Sequence, residues 1–444
     1  MEENPSPPEA SPLASRPAPL LRVGSPDSML AVIPGLLGFH PTRSLVVVGA
    51  GPPRGRIQVA FRYDLPEPPD PGAAAKIAAH AAAVLAKHQL TLAVVAGYGP
   101  GPMVTPVADA LVAELRRAGI TLQDMLRVEN GRYWSYSCQD PRCCPPEGTP
   151  FDPRDHPAAQ TMTAAGNKAL RDRGTLAATI APLGGLTAES MRQATQRAER
   201  RATELIGAGR GTGHQGSAGG QGSAAQPLIE AGLRAVADAL ARYRGGGRIT
   251  SDDKIAWLAV SLADLRVRDD AWARMEPGHV EAHLRLWTDV VRRAPSVYVP
   301  PAASLLAFTA WQAGNGALAN LAAERALAAD PEYSMALLLM DAIGAGMPPS
   351  AARLPMTPEE VAASYARTEA GAAGQARGTS RARGTGQARG TSQARGTSQA
   401  RGTGQARGTI QAGGTRQTRR TSQARTSQVP GTGQAEGSQA QGTG

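Results

Sequence analysis

The chain has 444 residues, of which 41% are hydrophobic but only 4% are aromatic, so small aliphatic side chains must form most of its core. It carries 47 basic and 37 acidic residues, and residues 371–444 contain 11 arginines and one acid, Glu436, so the excess charge lies in this tail. The rest of the chain is neutral overall and has no net electrostatic attraction to nucleic acid or to anionic membranes. The N-terminus is not typical of a signal peptide, no apolar stretch is long enough to span a bilayer, and three cysteines form no even disulfide framework. We therefore expect a cytoplasmic protein with no membrane partner.

The N-terminal segment predicts a disordered leader followed by the first ordered elements. Residues 1–20 are rich in proline, serine and alanine, a composition that cannot form a core. Ser25-Pro26 is typical of a helix N-cap followed by proline at the first helical position. The apolar run 44–49 predicts a buried strand. Residues 56–64 alternate and predict a half-buried strand antiparallel to it, with Ile57, Val59, Phe61 and Tyr63 on one face.

An alternation of helix and strand patterns follows. The predicted elements are helix 72–88, strand 91–97, helix 104–118 and strands 121–129 and 132–137. Asn130-Gly131 between the last two strands is the strongest short-range signal for a β-hairpin. Residues 21–150 therefore predict a mixed β-sheet with flanking helices.

Strand patterns stop near residue 150, and residues 151–345 predict an all-α lobe. The predicted helices cover residues 158–171, 187–206, 227–243, 252–266, 279–293, 302–313, 317–329 and 333–343. The glycine- and serine-rich residues 207–225 predict a flexible insert. Small residues and Pro331 at typical positions predict one tetratricopeptide-like helical hairpin, too few units for a solenoid. The predicted fold class is thus α/β (α+β), with disordered termini.

Residues 346–444 predict a disordered tail, in which only residues 357–367 have the pattern of a short helix. The tail contains QARGT(S/G) hexapeptide repeats with no apolar residue to bury. The arginines of successive repeats are Arg377, Arg383, Arg389, Arg395, Arg401 and Arg407. They can bind nucleic acid or an acidic partner weakly. A neutral expansion of the repeat explains the same pattern.

Four residues suggest a metal site. Cys138, Cys143 and Cys144 follow the predicted hairpin, and His156 lies a little further on. Three thiolates and an imidazole can hold zinc tetrahedrally. Because adjacent cysteines rarely bind one ion together, a proline-rich loop with packed thiols is the alternative.

The loop from Gly97 to Gly101 suggests a ligand site. It joins a buried strand to a helix, where α/β folds bind anions, because glycines admit the ligand and the helix N-terminus attracts negative charge. The candidate ligand residues are Gly97, Gly99, Gly101 and, in a possible cleft, His40. Prolines remove amide donors from this loop and no phosphate-binding motif is present, so a rigid turn is the alternative.

A histidine pair, His279 and His283, lies four residues apart on a predicted helix. This spacing places both rings on one face and suits metal binding. No third ligand is evident, so the pattern favours a solvated pair.

Three separated motifs resemble an actinobacterial family known as domain of unknown function 4192. Residues 37–41 (LGFHP) with 44–48 (SLVVV) resemble its opening signature, and residues 133–150, which include YWSY and CCPPEGTP, resemble its central motif. Residues 305–333, which include GNGAL and DPEY, resemble its C-terminal motif. The resemblance covers about residues 21–345 and implies a shared architecture, but it implies no catalytic residues.

These observations lead us to expect a non-enzymatic cytoplasmic binding or regulatory module with an unknown protein partner, because no catalytic constellation is recognisable. No cofactor is predicted beyond the possible zinc ion. One alternative is a small-ligand or nucleotide-binding enzyme that uses the Gly97–Gly101 loop. Another is a nucleic-acid-associated protein that acts through the arginine-rich tail.

Overall fold

The computed structural model describes residues 23–52, 55–212, 224–352 and 356–368. In these residues the N-terminal part forms six strands: β1 (Ser44–Gly51), β2 (Arg56–Asp64), β3 (Leu92–Tyr98), β4 (Thr121–Glu129), β5 (Arg132–Ser135) and β6 (Thr149–Pro150). Three helices accompany them: α1 (Pro26–Leu37), α2 (Pro71–Lys87) and α3 (Gly101–Arg117). Ser25 caps α1 through its side chain, and Pro26 is the first helical residue, as predicted.

The strands form one mixed sheet in the order β2-β1-β3-β4-β5-β6. Only β3 and β4 are parallel, and α3 connects them, whereas all other neighbouring pairs are antiparallel. Asn130 and Gly131 both have positive φ, which is the geometry of a type I′ hairpin turn, so the predicted β4–β5 hairpin is confirmed.

Both faces of the sheet are covered by helices. Leu45 and Val47 of β1 belong to a hydrophobic cluster with α2 and α3. Val46 and Val48 belong to a second cluster that includes α1 and continues through the helices after residue 157. All described residues fall in one compact unit, and the division of this body near residue 150 stays a prediction.

After the sheet the described residues are helical. The helices are α4 (Pro157–Ala164), α5 (Arg173–Ala178), α6 (Gly185–Thr212), α7 (Gln226–Arg244), α8 (Asp252–Ser261), α9 (Leu265–Ala273), α10 (Val280–Arg293), α11 (Val299–Gln312), α12 (Gly316–Ala329), α13 (Ser334–Gly344) and α14 (358–368). The fold class is thus confirmed, with α11 and α12 as the predicted helical hairpin. Helix α11 is buried along almost its whole length and lies at the centre of this region. None of the described helices is both long and apolar enough to cross a membrane.

Two of the predicted helices end earlier than expected. The predicted helix 252–266 is two helices, because the Asp264 carboxylate accepts hydrogen bonds from the amides of Arg266 and Val267 and so caps a new helix. The predicted helix 158–171 ends at Ala164, and α5 begins only at Arg173, after the side chain of Asp172 caps it.

The predicted disordered segments also change at their edges. Helix α6 continues through Thr212, so residues 207–212 of the predicted insert 207–225 are helical. The ordered body extends beyond residue 345, because Val361 of α14 is only 4% exposed and the Tyr365 hydroxyl donates to Asp269 at 2.6 Å. The predicted leader 1–20, residues 213–223 and the repeats of the tail lie outside the described residues.

A close contact sets the distance between β3 and α3. A Cβ atom at Gly97 would lie 2.2 Å from Cγ1 of Val104, so only glycine lets this helix approach the strand. At Gly101, the first residue of α3, a Cβ would meet nothing within 4 Å.

A buried polar network joins α7 to α10. The Tyr243 hydroxyl, on a fully buried side chain, donates to the Asp289 carboxylate and accepts from the Ile249 amide at 3.3 Å. Arg248 also donates to Asp289, at 3.0 Å from Nε. This network fixes α10, the helix that also carries His283.

Replacement of Gly97 by alanine is expected to destabilise the protein by about 1–3 kcal/mol, because the new methyl group overlaps Val104. Gly101→Ala is the control and should change the free energy of unfolding by less than about 0.5 kcal/mol. Urea unfolding of both variants measures the difference, and equal losses would contradict the close contact.

Tyr243→Phe is expected to cost about 1–2 kcal/mol, because the buried Asp289 loses a donor. Tyr298→Phe is the matched control, since its hydroxyl donates to the exposed Glu199, and it should cost less than about 0.5 kcal/mol. Thermal unfolding monitored by circular dichroism compares the two variants. A larger loss for Tyr298→Phe would contradict this assignment.

Candidate functional site

The candidate site is a loop that contains all three cysteines of the chain, between β5 and β6. At the start of the loop, the Ser135 hydroxyl accepts hydrogen bonds from the amides of Ser137 and Cys138 at 3.1 and 3.2 Å. The Asp140 carbonyl then accepts from the amides of Cys143 and Cys144 at 3.0 and 2.7 Å. These hydrogen bonds fold the loop back, so that residues distant by up to six positions meet.

The three thiols converge. The sulfur atoms of Cys138, Cys143 and Cys144 all lie within 4.8 Å of one another, and they are the only such group of potential metal ligands in the part of the chain that the structure describes. None of the three forms a disulfide, and Cys143 is exposed while the other two are half-buried. The three sulfur atoms are therefore close enough together to contact one cation.

The thiols influence each other's protonation. A hydrogen bond from Cys144 is the largest cause that lowers the pKa of Cys138. The same hydrogen bond, with desolvation as a smaller contribution, raises the pKa of Cys144 to about 12. Of these two thiols, Cys138 therefore ionises before Cys144, which keeps its proton and donates it to the Cys138 sulfur.

His156, the fourth predicted ligand, does not join this cluster. Its side chain caps α4, because Nδ1 accepts from the Ala158 amide at 3.1 Å. Its Nε2 atom lies 3.5 Å from the carboxylate of Asp27. Both ring nitrogens thus have other neighbours, and the described cluster consists of the three cysteines alone.

Trp134 links the cysteine loop to the sheet. Its Nε1 atom donates to the carbonyl of Pro146 at 2.9 Å. Gly148, with φ +80°, lies against the indole ring so closely that a Cβ there would come within 2.5 Å of it. The guanidinium of Arg127 lies 3.7 Å from the centre of a Trp134 ring, a cation–π contact.

A groove of about 510 Å³ lies beside Trp134. It is lined by Gly101, Pro102, Thr105, Arg127, Trp134, Ser135 and Tyr136. The hydroxyls of Thr105 and Tyr136 are hydrogen-bonded at 2.7 Å, which ties α3 to the start of the cysteine loop. Our sequence reasoning missed Arg127, although the two-residue hairpin turn alone predicts that it pairs with Trp134 across the strands.

The glycine loop contributes only its end to this groove. Gly97 lies inside β3 against Val104, and Gly99 has φ +149°, a conformation that L side chains rarely adopt. Packing and backbone geometry therefore explain both glycines. Gly101 alone lines the groove, and α3 begins there rather than near residue 104.

The remaining candidates lie apart from the groove. His40 is half-buried, its amide donates to the Leu170 carbonyl at 2.9 Å, and burial is the main cause that lowers the pKa of its ring. His279 is exposed beside Glu276, whereas His283 is buried, so the pair shares no common surface. The predicted nucleic-acid-binding arginines of the repeats, from Arg377 to Arg407, lie outside the described residues.

Comparisons with known proteins place this architecture in a family. No curated protein and no solved structure matches the chain. The model of a family described as domain of unknown function (DUF4192) matches residues 26–350, which include the whole sheet, the cysteine loop and helices α1 to α13. This match covers more than half of the 444 residues and confirms the resemblance of the three motifs. The chain therefore belongs to the DUF4192 family.

Proposed function

We propose that the protein is a non-enzymatic cytoplasmic binding module whose cysteine loop holds a zinc ion. The convergence of three sulfur atoms within 4.8 Å carries this proposal. In a tetrahedral site the sulfurs lie about 2.3 Å from zinc, which sets neighbouring sulfurs about 3.8 Å apart. Small adjustments of an exposed loop suffice to reach that spacing.

A cation would have to displace the protons of these thiols. Thiols bind zinc as thiolates, so binding would release the proton that Cys144 shares with Cys138. Cytoplasmic conditions keep thiols reduced and available for this chemistry. The carbonyl of Asp140 accepts hydrogen bonds from the amides of Cys143 and Cys144, and it holds both residues in place before any ion binds.

The number of ligands supports a binding role with a partner. Three cysteine ligands leave one of the four zinc positions open. Because Cys143 is exposed, this position would face solvent, where water or a side chain of a partner protein can occupy it. Trp134 contacts Pro146 and Gly148 of the loop and also lines the groove, so a metal that orders the loop would also fix this wall of the groove.

The full-length protein, purified under reducing conditions with zinc supplied, is expected to contain one zinc ion per chain by elemental analysis. Cys143→Ser and Cys138→Ser should each lower the zinc content at least tenfold, because two thiolates hold the ion poorly. Removal of zinc by a chelator should make all three thiols available to an alkylating reagent.

His156→Ser is the control, because serine preserves the N-cap of α4 but removes the imidazole. It should keep full zinc content. Loss of zinc in this variant would instead support His156 as a ligand. A wild-type protein that takes up no zinc, or whose cysteines resist alkylation as a disulfide, would overturn the proposal.

The groove favours a second candidate, the binding of a small anionic aromatic ligand such as a nucleotide beside Gly101. Arg127, whose guanidinium is also paired with Glu129, and Trp134 offer a cation and an aromatic edge there. Adenosine monophosphate at 100 times its dissociation constant would stabilise the protein by about 2.7 kcal/mol and raise the melting temperature by a few degrees. Arg127→Gln should abolish this rise, whereas Arg117→Gln, at the exposed end of α3, should not. No rise in the wild-type protein excludes this candidate.

A further inference from the structure

A second cavity, of about 270 Å³, lies in the helical region between α9, α10 and α11. Most of its wall is apolar: Trp272, Met275, Val280 and Phe308 line it. The rings of Trp272 and Phe308 meet edge to face, with centroids 5.3 Å apart. The wall therefore offers flat aromatic surfaces.

Two polar side chains of this wall are buried without partners. His283 is 1% exposed, and neither of its ring nitrogens forms a hydrogen bond. The indole nitrogen of Trp272 is also buried and forms none. Such groups normally have a partner, because an unsatisfied buried donor or acceptor is unfavourable.

The surroundings of His283 keep its ring neutral. Burial, and then the positive charge of Arg244, lower the pKa of His283 to about 4. The carbonyl of Arg274, which accepts a hydrogen bond from Arg244 at 3.1 Å, lies near the imidazole and opposes this effect as a smaller contribution. The neutral ring presents one donor and one acceptor.

The other polar groups of the wall are already engaged. The hydroxyl of Thr309 donates to the Leu305 carbonyl at 2.7 Å, and the amide of Gln312 donates to the Pro349 carbonyl at 2.7 Å. Glu276 places a negative charge at the edge of the cavity, next to His279. In this wall, the fully buried side-chain nitrogens without a partner are therefore those of His283 and Trp272.

We infer that this cavity binds a neutral, flat heterocycle of one or two rings, which hydrogen-bonds to His283 and Trp272. Two donors and one acceptor from the protein require a ligand edge with both acceptors and a donor, as a nucleobase has. A cavity of about 150 Å³ takes up benzene, so 270 Å³ suits a molecule of about ten non-hydrogen atoms. The apolar wall and Glu276 disfavour an anion. This site is independent of the cysteine loop and of zinc.

The test measures binding of adenine, hypoxanthine and benzimidazole to the full-length protein by saturation-transfer nuclear magnetic resonance and calorimetry. At least one probe is expected to bind, with indole as an apolar comparison that binds at least tenfold more weakly. His283→Phe preserves the aromatic volume but removes both nitrogens. It should weaken binding at least tenfold while it raises the melting temperature, because a buried group without partners is gone.

His279→Ala is the matched control, because this histidine is exposed outside the cavity, and it should leave binding unchanged. If His283→Phe does not fold, Trp272→Phe is the test of the inference. This substitution removes the indole N–H and leaves a smaller aromatic ring, and it should also weaken binding. The inference is overturned if no probe binds, if binding survives both substitutions, or if folded His283→Phe melts at a lower temperature than the wild type.

Discussion

The burial of β1 on both faces is the constraint on which the rest of the structure depends. Leu45 and Val47 enter one hydrophobic cluster, whereas Val46 and Val48 enter the other. Each such side chain contributes roughly 1.5–3 kcal/mol only when it is fully removed from water, so neither set of helices can be absent. Helices α2 and α3 complete one cluster. The other is complete only with α1 and the helical region, so the sheet and the helices must fold together.

The same sheet determines where the chemistry lies. The tight turn at Asn130-Gly131 sets the register of β4 and β5, and this register places Arg127 opposite Trp134. The cysteine loop then folds onto Trp134, whose indole nitrogen is held by Pro146. Trp134 thus contacts the loop that carries the proposed metal site and also lines the groove. Any change that orders the loop must also affect the wall of the groove.

Periodicity and turn chemistry predicted most of the elements, because burial of apolar stripes and the conformation of Asn-Gly are local effects. They failed where a single residue alters the geometry. Residues Val59, Phe61 and Tyr63 share a face as predicted, but a register shift opposite Gly49 and Ala50 turns Ile57 to the other side of the sheet. Helix spacing likewise suggested that His279 and His283 share a surface, yet α10 begins only at Val280, and the two rings occupy different environments.

The candidate sites were harder to predict than the fold, since they depend on competition between partners. His156 has the right chemistry for a ligand, but the amide at the start of α4 binds its nitrogen instead. Nothing in the sequence shows this competition, because a helix N-terminus accepts many side chains. The three cysteines could be grouped from sequence because a short loop limits how far apart they can lie.

His283 and Trp272 illustrate a different limit, because sequence does not reveal a missing partner. Each unsatisfied buried polar group costs about 1–3 kcal/mol, so an apolar aromatic residue at position 283 would stabilise this region more than histidine does. Nearby polar groups show that the fold can satisfy such atoms: Tyr243 and Asp289, which join α7 to the same helix, are hydrogen-bonded. On helix α10, Asp289 is therefore hydrogen-bonded within the protein, whereas His283 lines a cavity without a partner. A side chain left without a partner in this way is what a binding site requires. Hydrogen-bonding capacity that the protein leaves unused is available to a ligand.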